Sequence, residues 1–154
     1  PPVGWVQVHP EITPPSNFHH LRDTTNALAR IQSTAETLRA LGKRVVIVSP
    51  PPNSGEDLGK CLLYARVWGK ELSQCDFSSS SYSSMIEKSY RLLQKVEASI
   101  PVVFLDEAMC QDGTCATSDG NLFLYRDNGH LSIESARSLG SRIDLLALSV
   151  AEAK

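Results

Sequence analysis

A chain of 154 residues, 42% of them hydrophobic, suits one domain around one core and is too apolar to stay disordered. Its 15 Lys and Arg against 17 Asp and Glu leave a net charge of −2 with both signs interspersed, so neither a nucleic-acid stripe nor a basic membrane-surface cluster is present. No apolar run approaches the ~18 residues of a membrane-spanning helix.

The chain opens on Pro1-Pro2 without an initiating Met or a signal peptide, and is expected to be a piece of something longer. Val3 to His9 alternates and is β-rich, which predicts a strand. Pro10, Pro14 and Pro15 force a loop. From about Asn17 to Leu41 the positions Leu21, Leu28, Ile31, Ala35, Leu38 and Leu41 keep helical spacing, and Gly42 sits where a left-handed residue ends a helix. Val45 to Val48 is a continuous apolar run, the pattern of a strand covered on both faces, and Pro50-Pro51-Pro52 stops it. This strand–helix–strand order is the crossover unit of doubly wound α/β folds.

A helix is expected from about Lys60 to Leu72, with Leu62, Ala65, Trp68 and Leu72 inward. Ser78 to Ser81 is a low-complexity loop. Ser84-Met85-Ile86-Glu87 has the capping-box pattern, opening a helix with Ile86, Leu92, Leu93 and Val96 inward. After Pro101, Val102 to Asp106 reads as another buried strand. Ser132 is the expected N-cap of a last helix, with Ile133, Ala136, Leu139, Ile143, Leu146 and Val150 inward.

Four cysteines fall into two local groups, Cys61 with Cys75 and Cys110 with Cys115. An Asp-Gly turn between Cys110 and Cys115 can bring their Cα atoms within the ~4.4–6.8 Å of a disulfide. Cys61 and Cys75 flank a segment that can also close on itself, though spacing alone leaves the connectivity open. An even count in local groups favours an oxidising compartment. No C-x-x-C pair suggests zinc, and no metal site is expected.

Chemistry concentrates in Tyr125-Arg126-Asp127-Asn128-Gly129-His130-Leu131-Ser132. An Asp three residues before a His, on a Gly-containing loop ahead of a helix, can hold the imidazole in one tautomer. The far ring nitrogen is then free to take a proton from a hydroxyl. The plain alternative is a surface loop that caps the final helix. Arg126 is expected to face solvent. His9, His19 and His20 read as loop and helix residues rather than metal ligands, and Trp5 and Trp68 as packing residues rather than sugar platforms. The serines from Ser78 to Ser84 lack the glycine-flanked turn that exposes a nucleophile.

Three blocks together give the chain a resemblance: Leu124 to Ser132, the Cys110–Cys115 segment just before it, and Leu38 through Pro52 followed by Cys61. The chain resembles the SGNH hydrolase-like periplasmic domain fused to membrane acyltransferases of the acyltransferase type 3 family, which O-acetylate bacterial surface polysaccharides. The resemblance implies a three-layer α/β sandwich with a mainly parallel, flavodoxin-like sheet over a single domain, residues 1–154. It makes His130 the catalytic base, Asp127 its partner and Cys61, Cys75, Cys110 and Cys115 the disulfide cysteines.

The family nucleophile lies in a Gly-Asp-Ser motif after the first strand, and no Gly-Asp-Ser occurs here. The first strand read in this chain corresponds by order to the third of the family fold. Two explanations compete, a degenerate, inactive relative and a C-terminal portion of the domain; the second is the expectation, with another polypeptide segment completing its sheet. The implied function is acetyl transfer to hydroxyls of a glycan such as lipopolysaccharide O-antigen, with no cofactor and a membrane-embedded acyltransferase domain as partner. An SGNH carbohydrate esterase and a non-catalytic glycan-docking module are the alternatives.

Overall fold

The computed structural model describes residues 24–143. The expected strand Val3–His9, the following proline loop, the first turns of the long helix, and Leu146 and Val150 lie outside these residues, as do Trp5, His9, His19 and His20.

Helix α1 (Thr24–Ala40) ends as the sequence foretells, with Gly42 at φ 72°. Its Ala35 is buried against Val96 and Ile100, with Leu28, Ile31, Val45, Ile47 and Val102 packed around them. Leu38 and Leu41 are exposed instead, because the apolar stripe drifts off the contact by the last turn. Strand β1 (Ile47–Val48) pairs in parallel with β3 (Val102–Val103), in the register Ile47 to Val102.

Both strands are shorter than their apolar runs, for local reasons. The Ser49 N–H reaches Val103 O at 2.8 Å, and then three prolines without donors end the ladder. On β3 the Leu105 N–H donates to Ser49 Oγ at 2.9 Å, which turns the chain into the short helix α4 (Leu105–Met109) rather than further strand.

Helix α2 (Leu58–Val67) begins earlier than its periodicity suggests because Asp57 Oδ1 accepts the Lys60 N–H at 2.9 Å. It ends at Trp68 because Gly69 takes φ 61°, with Lys70 N–H on Ala65 O and Gly69 N–H on Arg66 O. A turn of 3₁₀ helix (Leu72–Cys75) returns the chain, and the Cys61–Cys75 disulfide closes it. Leu62 and Ala65 are buried as expected, and Leu72 is partly buried against the same core; Trp68 is 73% exposed. Helix α3 (Ser84–Val96) is capped by Ser83, whose Oγ accepts the Ile86 N–H, one residue ahead of the expected box. Glu87 is left to pair with Arg91 at 2.7 Å. Its buried face is Ile86, Tyr90, Leu93 and Val96, with Tyr90 in place of Leu92.

The other strands are short and antiparallel. The hairpin of β4 (Cys110–Gln111) and β5 (Thr114–Cys115) turns on Asp112 and Gly113, both at positive φ, and β2 (Phe77–Ser78) adds to β5. β6 (Ser118–Asp119) and β7 (Leu122–Phe123) turn on Gly120 and Asn121. The expected mainly parallel sheet is thus corrected for the described residues to one parallel pair and five antiparallel strands. Tight turns reverse the chain after two residues in the hairpins, while only β1 and β3 are joined by helical crossovers. The result is a mixed α/β architecture with small sheets. Ser132 caps α5 (Ile133–Arg142) as read, accepting the Ser135 N–H at 3.0 Å. Within α5, Leu139 is buried, whereas Ile133 and Ala136 are exposed. The main core joins Leu58, Leu62, Ala65, Leu105, Met109, Leu124, Tyr125 and Leu139. No helix among the described residues is long and apolar enough to cross a membrane.

Candidate functional site

The loop between β7 and α5 is pinned at both ends before it presents any chemistry. Tyr125 is 1% exposed, and its hydroxyl donates to Pro52 O at 2.6 Å. Tyr125 bridges Leu131, and the Arg126 N–H closes onto His130 O at 2.9 Å. Ser132 holds the return limb twice, its N–H on Leu124 O and its hydroxyl on Phe123 O at 2.7 Å. From below, the buried Gly59 of α2 touches the Arg126–Asp127 peptide so closely that a Cβ would overlap the Arg126 carbonyl.

Inside this frame Asp127 folds the loop around its own carboxylate. Oδ1 accepts the N–H groups of Gly129 at 3.0 Å and His130 at 2.8 Å. The ring Nδ1 of His130 lies 2.9 Å from both carboxylate oxygens. The backbone N–H of Gly129, then that of His130 and its ring, hold the Asp127 carboxyl well below the usual carboxylate range, against the opposing pull of desolvation. An ionised carboxylate only accepts, so Nδ1 carries the proton and Nε2 is left as the free basic nitrogen. The imidazole is open to solvent, with 71% of its side chain exposed.

The two residues singled out by spacing therefore meet. Arg126 is 64% exposed, as expected, and its guanidinium reaches Asp127 Oδ2 only at 3.4–3.5 Å. Among the described residues no Ser hydroxyl is hydrogen-bonded to the His130 ring. Ser78, Ser80 and Ser81 spend their polar groups on one another and on their own backbone. The cysteines pair locally, Cys61 with Cys75 and Cys110 with Cys115, with Cα separations of 5.9 and 3.9 Å.

Three features were not read from the sequence. Gly59 supports the loop; it falls in the loop expected ahead of a helix from about Lys60, and nothing in the sequence marks it. Asp76 Oδ1 accepts both the N–H and the hydroxyl of the fully buried Thr117 at 2.8 Å, tying the turn after Cys75 to the β5–β6 connection. Tyr82 places its hydroxyl 3.5 Å from Asp106 Oδ2 and 3.4–3.5 Å from the Cys110 and Cys115 sulfurs. Burial first, then the Asp106 charge, pushes the Tyr82 hydroxyl up to about 12.

Against known proteins, the family described as SGNH domain (fused to AT3 domains) matches residues 5–144. No curated protein matches the chain. Among solved structures, the periplasmic domain of a lipopolysaccharide acetyltransferase from Salmonella ser. Paratyphi A superposes with a TM-score of 0.58 at 18% identity. The match covers 79% of this chain and 51% of that one, so the chain spans about half the length of that domain. At that identity the likeness is one of fold. The match along most of its length means that the chain belongs to the family of SGNH domains fused to AT3 domains.

Proposed function

We propose that this chain carries the base of a periplasmic acyltransferase site that moves an acetyl group onto hydroxyls of a bacterial surface glycan, such as lipopolysaccharide O-antigen. The observation that carries the reading is the His130 ring held at 2.9 Å by an ionised Asp127, with the imidazole open to solvent. Membership in a family fused to AT3 domains supports a membrane-embedded acyl donor in the same protein, and the likeness to a lipopolysaccharide acetyltransferase periplasmic domain supports the glycan acceptor and the periplasm.

The nucleophile is a Ser on polypeptide outside these 154 residues. Its Oγ attacks the acyl carbonyl while His130 Nε2 takes the hydroxyl proton, and Asp127 stabilises the imidazolium. The proton passes to the departing group as the acyl-enzyme forms. A sugar hydroxyl then gives its proton to Nε2 and attacks, and Ser Oγ leaves with that proton. In this reading residues 1–154 are one domain with that added segment, and the parallel β1–β3 pair is part of a longer, mainly parallel sheet within three layers.

The test uses the full-length protein, with acetyl transfer to O-polysaccharide and hydrolysis of p-nitrophenyl acetate as readouts. His130→Ala lowers both by about 10³-fold or more. Asp127→Asn keeps an acceptor for the loop N–H groups but removes the charge, and lowers both by about 10³–10⁴-fold. His130→Ala melts near the parent temperature, since the imidazole is exposed, and Asp127→Asn stays folded, since the loop is pinned elsewhere. Parent-like activity in either variant overturns the proposal.

A further inference from the structure

Trp68 ends α2 without packing inward: it is 73% exposed, and Tyr64, one turn earlier, is 53% exposed. Residues four apart on a helix share a face, so the two aromatic side chains are neighbours on the solvent side. Water contact of that extent is unfavourable for large rings, whose apolar faces dominate the energetics of cores and interfaces when covered. Between them and the 3₁₀ turn lies a cavity of about 340 Å³ lined by Tyr64, Ala65, Trp68, Lys70, Gln74 and the Cys61–Cys75 disulfide. Its floor is stiff, because the disulfide ties α2 to the 3₁₀ turn and Ala65 and Cys75 are buried beneath. Its rim is polar: Lys70 and Gln74 border the rings, and the Lys60 ammonium sits 5.6 Å from the Tyr64 ring centroid.

A pyranose ring has an apolar face of C–H bonds and an edge of hydroxyls. Aromatic faces bordered by ammonium and amide groups answer both. We infer that this face of α2 is a subsite for the acceptor glycan, in which one pyranose stacks on Tyr64 and Trp68 while Lys70 and Gln74 bond its hydroxyls. The inference rests on the acyl-transfer reading above, because the Gly59 end of the same helix supports the loop of Asp127 and His130. The ten residues of α2 put about 15 Å along the axis between the two ends, and Trp68, nine residues beyond Gly59, stands about half a turn round the helix from it. A polymer can bridge that distance and a small acceptor cannot, so the subsite selects for a polysaccharide. Leu63 and Val67, also exposed, continue the apolar strip along the neighbouring row of the helix. The competing occupant is therefore another segment of polypeptide laid over the strip.

The experiment uses the full-length protein and O-polysaccharide released from smooth lipopolysaccharide as the probe. Saturation-transfer NMR reads binding, acetyl transfer gives KM and kcat for the glycan, and p-nitrophenyl acetate hydrolysis reads the chemical step alone. Trp68→Ala is expected to abolish saturation transfer and raise the glycan KM on the order of tenfold, with ester hydrolysis unchanged. Trp68→Phe keeps a ring and restores most of the binding. An unchanged glycan KM in Trp68→Ala overturns the inference. So does a Trp68 indole that N-bromosuccinimide fails to oxidise in the folded protein, which would mean that polypeptide covers it. A parent protein that hydrolyses the ester but shows no glycan binding removes the subsite and leaves the acyl-transfer reading standing. Trp68-dependent glycan binding without transfer or hydrolysis does the reverse.

Discussion

Asp127 does two jobs with one carboxylate, and each strengthens the other. Accepting from Gly129 and His130 N–H groups folds the loop, and the same bonds keep the group ionised, which is what fixes the imidazole. An uncharged side chain performs the first job only. Gly59 is the least conspicuous residue of the site and among the least replaceable. A methyl group there would meet the Arg126 carbonyl and lie 2.8 Å from Asp127 N, both backbone atoms that cannot swing aside. Gly59→Ala therefore costs about 1–3 kcal/mol of stability through overpacking and displaces the Asp127–His130 loop. The expected outcome is a lower Tm together with a fall in ester hydrolysis of the folded enzyme. Full activity at an unchanged Tm would refute this view of the contact.

At the scale of elements, ends are set by single groups that compete with periodicity. Ser83, Asp57 and Ser132 each offer an oxygen to a free helix N–H, and the helices start there. Gly69 stops α2 where the apolar spacing runs on to Leu72, which is why Trp68 points to solvent. The Cys61–Cys75 disulfide, with a sequence separation of 14, then ties the end of α2 to the 3₁₀ turn. In the chain-entropy account a loop of that size is worth about 3 kcal/mol. The double change Cys61→Ser with Cys75→Ser is expected to lose about that much in chemical denaturation. The Cys110–Cys115 bridge, with a separation of 5, constrains the unfolded chain less and loses less when removed. Equal losses from the two would contradict the entropic origin.

Across the whole molecule, polar groups under the surface make stability depend on pH. Asp106 has one carboxylate oxygen buried and the other 3.5 Å from the Tyr82 hydroxyl. Burial pushes its carboxyl up, against the pull of its own and the Glu107 backbone N–H groups. A raised carboxyl costs stability while charged, and the cost disappears as pH falls through the raised value. Asp106→Asn is therefore expected to melt higher than the parent at neutral pH, with the gap narrowing as the pH is lowered towards the acid range. A gap that widens on acidification would reverse the sign and refute the assignment. Asp127 runs the other way, since its depressed carboxyl lends stability that is lost only in strong acid.

The amino-acid order by itself determined what depends on near neighbours. The Asp127–His130 pair spans three residues, the Cys110–Cys115 hairpin turns on an adjacent Asp-Gly, and Ser132 caps the helix it precedes, whereas the order left the pairing of the four cysteines open. Only the tertiary structure decided what depends on residues far apart. Gly59 supports a loop nearly seventy positions away, Tyr125 anchors on Pro52, and Ser49 Oγ stops β3 by taking the Leu105 N–H. It also decided that Trp68 faces water and that, among the described residues, the strands are mostly antiparallel. The physical reason is range. Caps, turns and short loops are settled by a few bonds along the chain, whereas steric contacts, strand ends and exposed faces are settled by whichever distant segment arrives beside them.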